Sequence, residues 1–319
     1  QFESLGDTMS ERRRAGLIRE CHGDLHCANV VRWKDELTPF DGIEFDPALR
    51  FIDVVSDLAF LTMDLSAHGR PDLRHAALQA WAETLGDFDG LRLLPYFECY
   101  RALVRAKVSA LRAAQEAPGS AQHSAALATA EHYLCWAEAG TNRFTPRLLL
   151  TCGVSGSGKT WVARQVAAQL PALHLRSDIE RKRLAGLDPL ADSRSEPGAG
   201  IYTPSADAET YGRLYSAAES CLQAGENVIV DATFILEKRR KVLINIAKRL
   251  KVPFTILHCT APRALLRERV ASRALAGTDA SEAGAAILER QLSHFDMFSE
   301  TEQANVLEID TSVDFDINQ

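Results

Sequence analysis

The sequence has no C-x-x-C pair, no apolar run near the roughly 20 residues a bilayer crossing needs, and no basic leader followed by an apolar stretch. Its seven cysteines are odd in number and without paired spacing, which argues against a disulfide framework or zinc knuckle and fits a reducing compartment. Lysine is scarce, 8 of the 36 basic residues, and the formal net charge is −7 with a pI near 5.8. Extended nucleic-acid binding is therefore not expected, although a local basic pocket is allowed. These absences predict a soluble, cytoplasmic chain without a membrane partner, and they set no oligomeric state. The first residue is Gln1 and not Met, which fits a piece of a longer protein.

What is present is globular in character. Apolar residues make up 46% and charged residues 25% of the 319, which excludes collagen-like and wholly disordered chains. A prior of roughly 100 to 200 residues per domain gives two units. The break falls between Glu138 and Pro146, where an Ala-rich helical stretch yields to the turn residues of AGTNRFTP, giving domains over 1–140 and 146–319. Strand-like pieces in the first are confined to Val30–Trp33 and Phe40–Phe45. Its remainder is helical, with Tyr100, Leu103, Val104, Val108 and Leu111 recurring at three- and four-residue steps. In the second, short β-rich runs (RLLLTCGV, ALHLRS, NVIVDATF, PFTILHCTA, NVLEID) alternate with helical stretches. That rhythm predicts α/β architecture, a parallel sheet flanked by helices. Leu187–Ser205, with three prolines and several small residues, reads as a long loop or flap.

The most specific motif is Gly153, Val154, Ser155, Gly156, Ser157, Gly158, Lys159 and Thr160, which satisfies G-x-x-x-x-G-K-[ST] between an apolar strand and a helix. Glycines let successive N–H groups point inward at phosphate oxygens, and the helix N-terminus adds positive potential. Lys159 is the candidate for the β and γ phosphates, and Thr160 for Mg²⁺. Ser177 and Asp178 end the second strand, in the crevice where open α/β sheets bind ligands. Asp178 there can take the proton of an attacking hydroxyl, and Arg181, three residues on, can orient the acceptor or its phosphate; a plain helix cap is the competing reading. Asp231 ends the third strand and can serve the metal's water shell or hold Arg181. Arg263, Arg267, Arg269 and Arg273 recur along APRALLRERVASR, where Arg269 and Arg273, one turn apart, can close on phosphates as a lid. Pairing of such arginines with Glu268 on a solvated face is the bland alternative.

These residues carry a resemblance. From about Arg147 to Thr311 the chain resembles the P-loop (AAA-type) small-molecule and polynucleotide kinases, a group with gluconate kinase-like, zeta toxin-like and 5′-hydroxyl polynucleotide kinase members. The carrying residues are GVSGSGKT, S-D-x-x-R at Ser177–Arg181, VIVDATF and the Arg-rich stretch with DASEA at Asp279–Ala283. The resemblance implies Asp178 as general base, Arg181 as substrate-positioning residue and the lid arginines as phosphate clamps.

A second constellation lies near the start. His22-Gly23-Asp24 is followed by Asn29, five residues after the Asp; a kinase catalytic loop uses this grouping, Asp for the substrate proton and Asn for Mg²⁺. With PFDGIEF, IDVVSDLAF and YRALVRAKV it resembles the C-terminal lobe of the aminoglycoside phosphotransferase family over residues 15–135. By that resemblance Asp24 matches the base and Asn29 a metal ligand, the second ligand falling on Asp41 or Glu44, while Asp53 and Asp57 are structural. Only about twenty residues precede His22, too few for that family's N-terminal lobe. The order of the two parts is similar to the bifunctional aminoglycoside phosphotransferase/ATP-binding proteins, of which this chain would be a C-terminal part.

The expected activity is ATP- and Mg²⁺-dependent transfer of a γ-phosphate to a hydroxyl of a small molecule or nucleotide. The alternatives are a slowly hydrolysing ATP-binding regulatory module, and an aminoglycoside-like kinase activity residing in the first domain of a longer chain.

Overall fold

The structure, a computed structural model, describes residues 2–140, 145–193, 195, 198–276, 280–281 and 284–313. It divides into two compact units, Gln1–Phe144 and Thr145–Gln319. Among the described residues no helix is long and apolar enough to cross a membrane.

The first unit is mainly helical. Its elements are α1 (Phe2–Arg14), β1 (Ile18–Glu20), β2 (Val30–Trp33), β3 (Glu36–Pro39), α2 (Pro47–Arg50), β4 (Phe51–Asp53), α3 (Val54–Ala67), α4 (Pro71–Leu85), α5 (Leu94–Gln115) and α6 (Ala121–Ala139). The strands form two antiparallel pairs, β1 with β4 and β2 with β3. The second expected strand is shifted. Lys34 and Asp35 both take positive φ (48° and 64°), making the two-residue turn that suits a hairpin, so Glu36–Pro39 returns along β2. Phe40–Phe45 is irregular, with Asp41 itself at φ 59°. The apolar steps of α5 also resolve differently from a buried stripe. Tyr100, Leu103, Val108 and Leu111 are exposed, and the core is built from Ala102 and Ala106 against Phe60, Met63, Tyr133 and Ala137. Small side chains on the inner face allow close helix approach, and the larger ones are left outside.

The second unit runs β5 (Leu148–Cys152), α7 (Lys159–Gln169), β6 (Ala172–Arg176), α8 (Ser177–Leu184), α9 (Pro204–Gln223), β7 (Asn227–Asp231), α10 (Glu237–Leu250), β8 (Phe254–Thr260), α11 (Arg263–Ala276), α12 (Ala285–Ser293), α13 (Glu300–Gln303) and β9 (Val306–Asp310). The strands form one parallel sheet in the order β6-β7-β5-β8-β9. β5, β6 and β7 are buried almost throughout, as expected of a sheet covered on both faces. The crossover from β5 to β6 runs toward one edge and that from β7 to β8 toward the other, so right-handed connections put α7 and α10 on opposite faces. Val162, Ala163 and Val166 of α7 pack on Leu149, Ile229, Leu257 and Ile309. The chain reverses direction across the sheet at β5, and the loop that leaves the C-terminal end of β5 lies at that switch point.

Arg240 of α10 is fully buried and pins the region behind this loop. It pairs with Glu302 at 2.7 Å and donates to the carbonyls of Phe234, Ile235, Asp296 and Met297.

Candidate active site

Three glycines shape the phosphate loop. Gly153, Gly156 and Gly158 have φ of +149°, +82° and +79°, and a Cβ on them would come within 2.5 Å of Cys259 O, 2.7 Å of Leu266 O and 3.0 Å of Thr311 Cγ2. Positive φ at all three, with backbone oxygens close by at Gly153 and Gly156 and the Thr311 side chain at Gly158, requires glycine. Ser157 Oγ is buried inside the loop without a hydrogen-bond partner. Lys159 Nζ donates to Val154 O at 2.7 Å, across the loop. Burial lowers the Lys159 pKa, against the charges of Asp231 and Asp178, while Arg273 adds to the lowering. Ser155 N donates to Gln291 Oε1 of α12 at 2.7 Å, and Val154 packs against Leu266, Val270 and Leu288, so α11 and α12 buttress the loop.

Asp231 receives Thr160 Oγ1 at 2.7 Å and Thr151 Oγ1 at 3.2 Å, with His174 Nε2 3.1 Å away. Burial alone would raise its pKa; the contacts with His174 and Thr160 and the Lys159 charge hold the carboxyl well below the usual carboxylate range. An ionised Asp231 beside the Thr160 hydroxyl is a donor set of hard oxygens suited to Mg²⁺. Of the two roles open to Asp231 in the sequence, tethering Arg181 is not the one seen: Arg181 Nη2 donates to Asp207 at 2.8 Å and Nη1 to Ile201 O at 3.2 Å.

Asp178 is partly buried in the first turn of α8. The N-cap of that helix is Arg176, so Asp178 is not its cap. Burial raises the Asp178 pKa, opposed by Arg176 and Arg181 and reinforced by Asp231. Asp231 and Arg273, far apart in sequence, thus both lie within electrostatic range of Lys159 and of Asp178.

The Arg-rich helix divides its roles. Arg269 faces the loop, its guanidinium donating to Gly156 O at 3.3 Å and to Thr311 Oγ1 and O at 2.8 and 2.7 Å. In this structure it braces the loop and is not an open lid arginine. Arg267 pairs with exposed Glu289 on α12 and not with Glu268. Arg273 is the member whose charge reaches Lys159 and Asp178. Within DASEA, Asp279, Glu282 and Ala283 lie outside the described residues.

In the first unit Asn29 Nδ2 donates to Asp24 O at 3.0 Å and to Asp24 Oδ2 at 3.2 Å. Contact with His26, then the charge of Arg105, lowers the Asp24 pKa in spite of burial. Asp57 accepts from His22 N and Gly23 N, and Asp53 accepts from Val55 N and pairs with Arg12, so both anchor the loop and α3 as read. Asp41 and Glu44 are exposed, and the structure brings neither carboxylate into hydrogen-bond contact with Asp24 or Asn29.

Sequence reasoning missed His174, Asp207 and Gln291. His174 carried a signal, a polar residue inside an apolar strand. The others sit on helices whose patterns read as ordinary solvated faces.

A glycine-shaped loop at the switch point of a parallel sheet, with Lys159 and Thr160 at its helix and Asp231 beside them, defines the second unit as a nucleotide-binding domain of P-loop, kinase-like fold. Residues 148–298 match the protein family described as AAA domain. Uncharacterized proteins of Mycobacterium tuberculosis and Mycobacterium bovis are each 31% identical to this chain over 281 residues, 88% of its length and 55% of theirs. The chain therefore spans about half the length of the curated relatives it matches. Similar solved structures include a sugar kinase from Janibacter (20% identical, 54% of this chain and 88% of that one, TM-score 0.40). Another is the APS kinase CysC of Mycobacterium tuberculosis with AMPPNP and APS (20% identical, 53% and 91%, TM-score 0.38).

Proposed function

We propose that the second unit is an ATP-dependent phosphotransferase acting on a hydroxyl of a small molecule or nucleotide. The observation that carries this reading is the glycine-shaped loop with Lys159 Nζ on Val154 O and Thr160 Oγ1 on Asp231 at 2.7 Å, beside Asp178 in the turn after the neighbouring strand β6. The acceptor hydroxyl gives its proton to Asp178; its oxygen bonds to the γ-phosphorus as the bond to the β–γ bridging oxygen breaks, and ADP leaves. Lys159, the loop amides and Arg273 stabilise charge on the transferring group. Thr160 and Asp231 would hold Mg²⁺, whose contribution when bound is neutralisation of phosphate charge. Arg181 positions the acceptor, and Arg269 keeps the loop in shape. The test is transfer of labelled γ-phosphate from ATP to a panel of hydroxyl compounds by wild-type, Asp178→Ala and Lys159→Ala proteins: Asp178→Ala keeps ATP binding and loses transfer, and Lys159→Ala loses both. Equal transfer by Asp178→Ala would discard the base assignment.

The Asp24–Asn29 hydrogen bond supports a second reading, that the first unit keeps the catalytic loop of an aminoglycoside phosphotransferase-like lobe and acts within a longer chain. Asp24→Ala in the full-length relative would then abolish phosphorylation of a polar alcohol that Asp178→Ala leaves intact.

A further inference from the structure

In the first unit, the loop that carries Asp24 and Asn29 meets α3 at a group of metal-binding side chains. Asp64 and His68 are one helical turn apart, so their side chains share a face. Cys27, inside the loop, turns to that face. Its N–H donates to Asp64 Oδ2 at 2.8 Å, whereas Asn29, two residues on, turns to Asp24. The Cys27 sulfur, a carboxylate oxygen of Asp64 and a ring nitrogen of His68 lie within 4.8 Å of one another. Asp64 is 1% exposed, and its oxygens accept from Cys27 N and, at 2.5 Å, from the Tyr133 hydroxyl of α6. A carboxyl that accepts on both oxygens has the pattern of the ionised form. Among the described residues its ion-pair partner is His68, 3.6 Å away, which is charged only when protonated. Arg105 of α5 is turned to His26 Nε2, at 3.1 Å, and to the Tyr133 ring. A buried carboxylate without a lasting positive partner is costly, and a cation beside it removes that cost. His68 Nδ1 is 2.8 Å from Asp64 O. A carbonyl only accepts, so Nδ1 carries the hydrogen and the neutral ring keeps its Nε2 lone pair, the arrangement of ligating histidines.

We infer that Cys27, Asp64 and His68 form a zinc site that clamps the Asp24–Asn29 loop onto α3. One thiolate, one imidazole and one carboxylate are a mixed donor set that suits zinc, whereas Mg²⁺ takes oxygen ligands. Three protein ligands leave one tetrahedral position for water. The His68 side chain is 58% exposed, which gives the ion a way in from solvent. Zinc–ligand bonds of about 2.0–2.3 Å draw the three groups closer than their present spacing, a movement open to an exposed ring. On binding, the Cys27 thiol releases its proton to solvent as the zinc–sulfur bond forms. Tyr133 stays on Asp64 as the outer hydrogen bond that orients the carboxylate. The site lies wholly in the first unit and does not depend on the phosphotransferase reading of the second.

The competing role for Asp64 is a hydrogen-bond anchor of the loop without a metal, and metal binding tells the two apart. The full chain is stripped with a chelator, kept reduced in excess Mg²⁺, and titrated with Zn²⁺ against a chromophoric chelator; Co²⁺ is then bound in place of zinc. The expected result is one saturable zinc site. With cobalt it gives the intense visible absorption of a tetrahedral ion and a thiolate-to-metal charge-transfer band in the near ultraviolet. Cys27→Ser removes that band. Cys27→Ser and His68→Gln each weaken zinc binding by more than the roughly 10- to 100-fold that loss of an outer partner costs, a cost that Tyr133→Phe measures directly. Cys135→Ser, at an exposed cysteine of the same unit, changes neither affinity nor spectrum. Zinc raises the melting temperature of the first unit in the wild type and in neither ligand variant. Cys27 is half-buried and His68 exposed, so the metal-free variants are expected to keep the fold, which circular dichroism checks; if either unfolds, the wild-type cobalt spectrum decides. No saturable zinc site, a cobalt complex without the thiolate band, or wild-type affinity in both Cys27→Ser and His68→Gln would overturn the inference.

Discussion

Asp178, in the helical turn just after β6, and Asp231, at the end of the neighbouring β7, are tuned in opposite directions by their surroundings. Arg176, two residues before Asp178, is the register partner of Asp231. Burial leaves Asp178 easier to protonate than an ordinary aspartate, and His174, Thr160 and Lys159 leave Asp231 harder to protonate. Two carboxylates pushed apart in this way divide into a proton acceptor and a permanent anion. Asp178→Asn is therefore expected to lower the transfer rate by about 10²- to 10⁴-fold with MgATP affinity unchanged. If Asp178 is the base, as proposed, transfer by the wild type should fall off in acid with a midpoint above the ordinary aspartate value of 3.8, because a base must be ionised to take the proton. A pH–rate profile measures both. For Asp231 the sign is reversed: its folded pKa lies below its unfolded one, so its stabilisation is full above 3.8 and is lost as pH falls through the depressed folded value. Urea midpoints of wild type and Asp231→Asn should differ at neutral pH and converge in strong acid.

At the scale of elements, the phosphate loop depends on what stands behind it. A Cβ on Gly156 would meet Leu266 O at 2.7 Å, in α11. Gly156→Ala should therefore shift α11 and weaken MgATP binding by about tenfold or more, seen in a binding titration, since both the φ of +82° and the space forbid the side chain. Arg240 is 0% exposed and Glu302 2%; Arg240→Met strands a buried carboxylate, at a cost of about 3–5 kcal/mol measured by urea unfolding. The loop itself was legible in the sequence because its glycine spacing and lysine are local. So was the alternation that built the parallel sheet. Arg240 was not, because EKRRKV on a polar helix reads as a solvated face, and its partner Glu302 is 62 residues away. The Arg181–Asp207 pair spans 26 residues across a proline-rich loop, with no pattern to announce it. The apolar steps of α5 gave the helix correctly, but periodicity does not say which face is covered when alanines can fill the inner one. The second strand of the first unit slipped because Lys34 and Asp35, without a glycine, take the turn conformation.

For the whole molecule, two separate cores imply two unfolding units, and only the second has a phosphate loop. Differential scanning calorimetry should show two transitions, of which saturating MgATP raises one, by about 2.7 kcal/mol of stabilisation at a hundredfold excess over Kd. The first unit's transition should not move. Asp24 and Asn29 sit in that first unit, so Asp24→Ala should leave the MgATP-sensitive transition where it is. The account as a whole stands on Gly153–Thr160 gripping a triphosphate. Its most direct test is a calorimetric titration of MgATP into wild-type and Lys159→Ala protein. One saturable site in the wild type, weakened at least tenfold in the variant, is the predicted result; no heat of binding, or equal binding by both proteins, would contradict it.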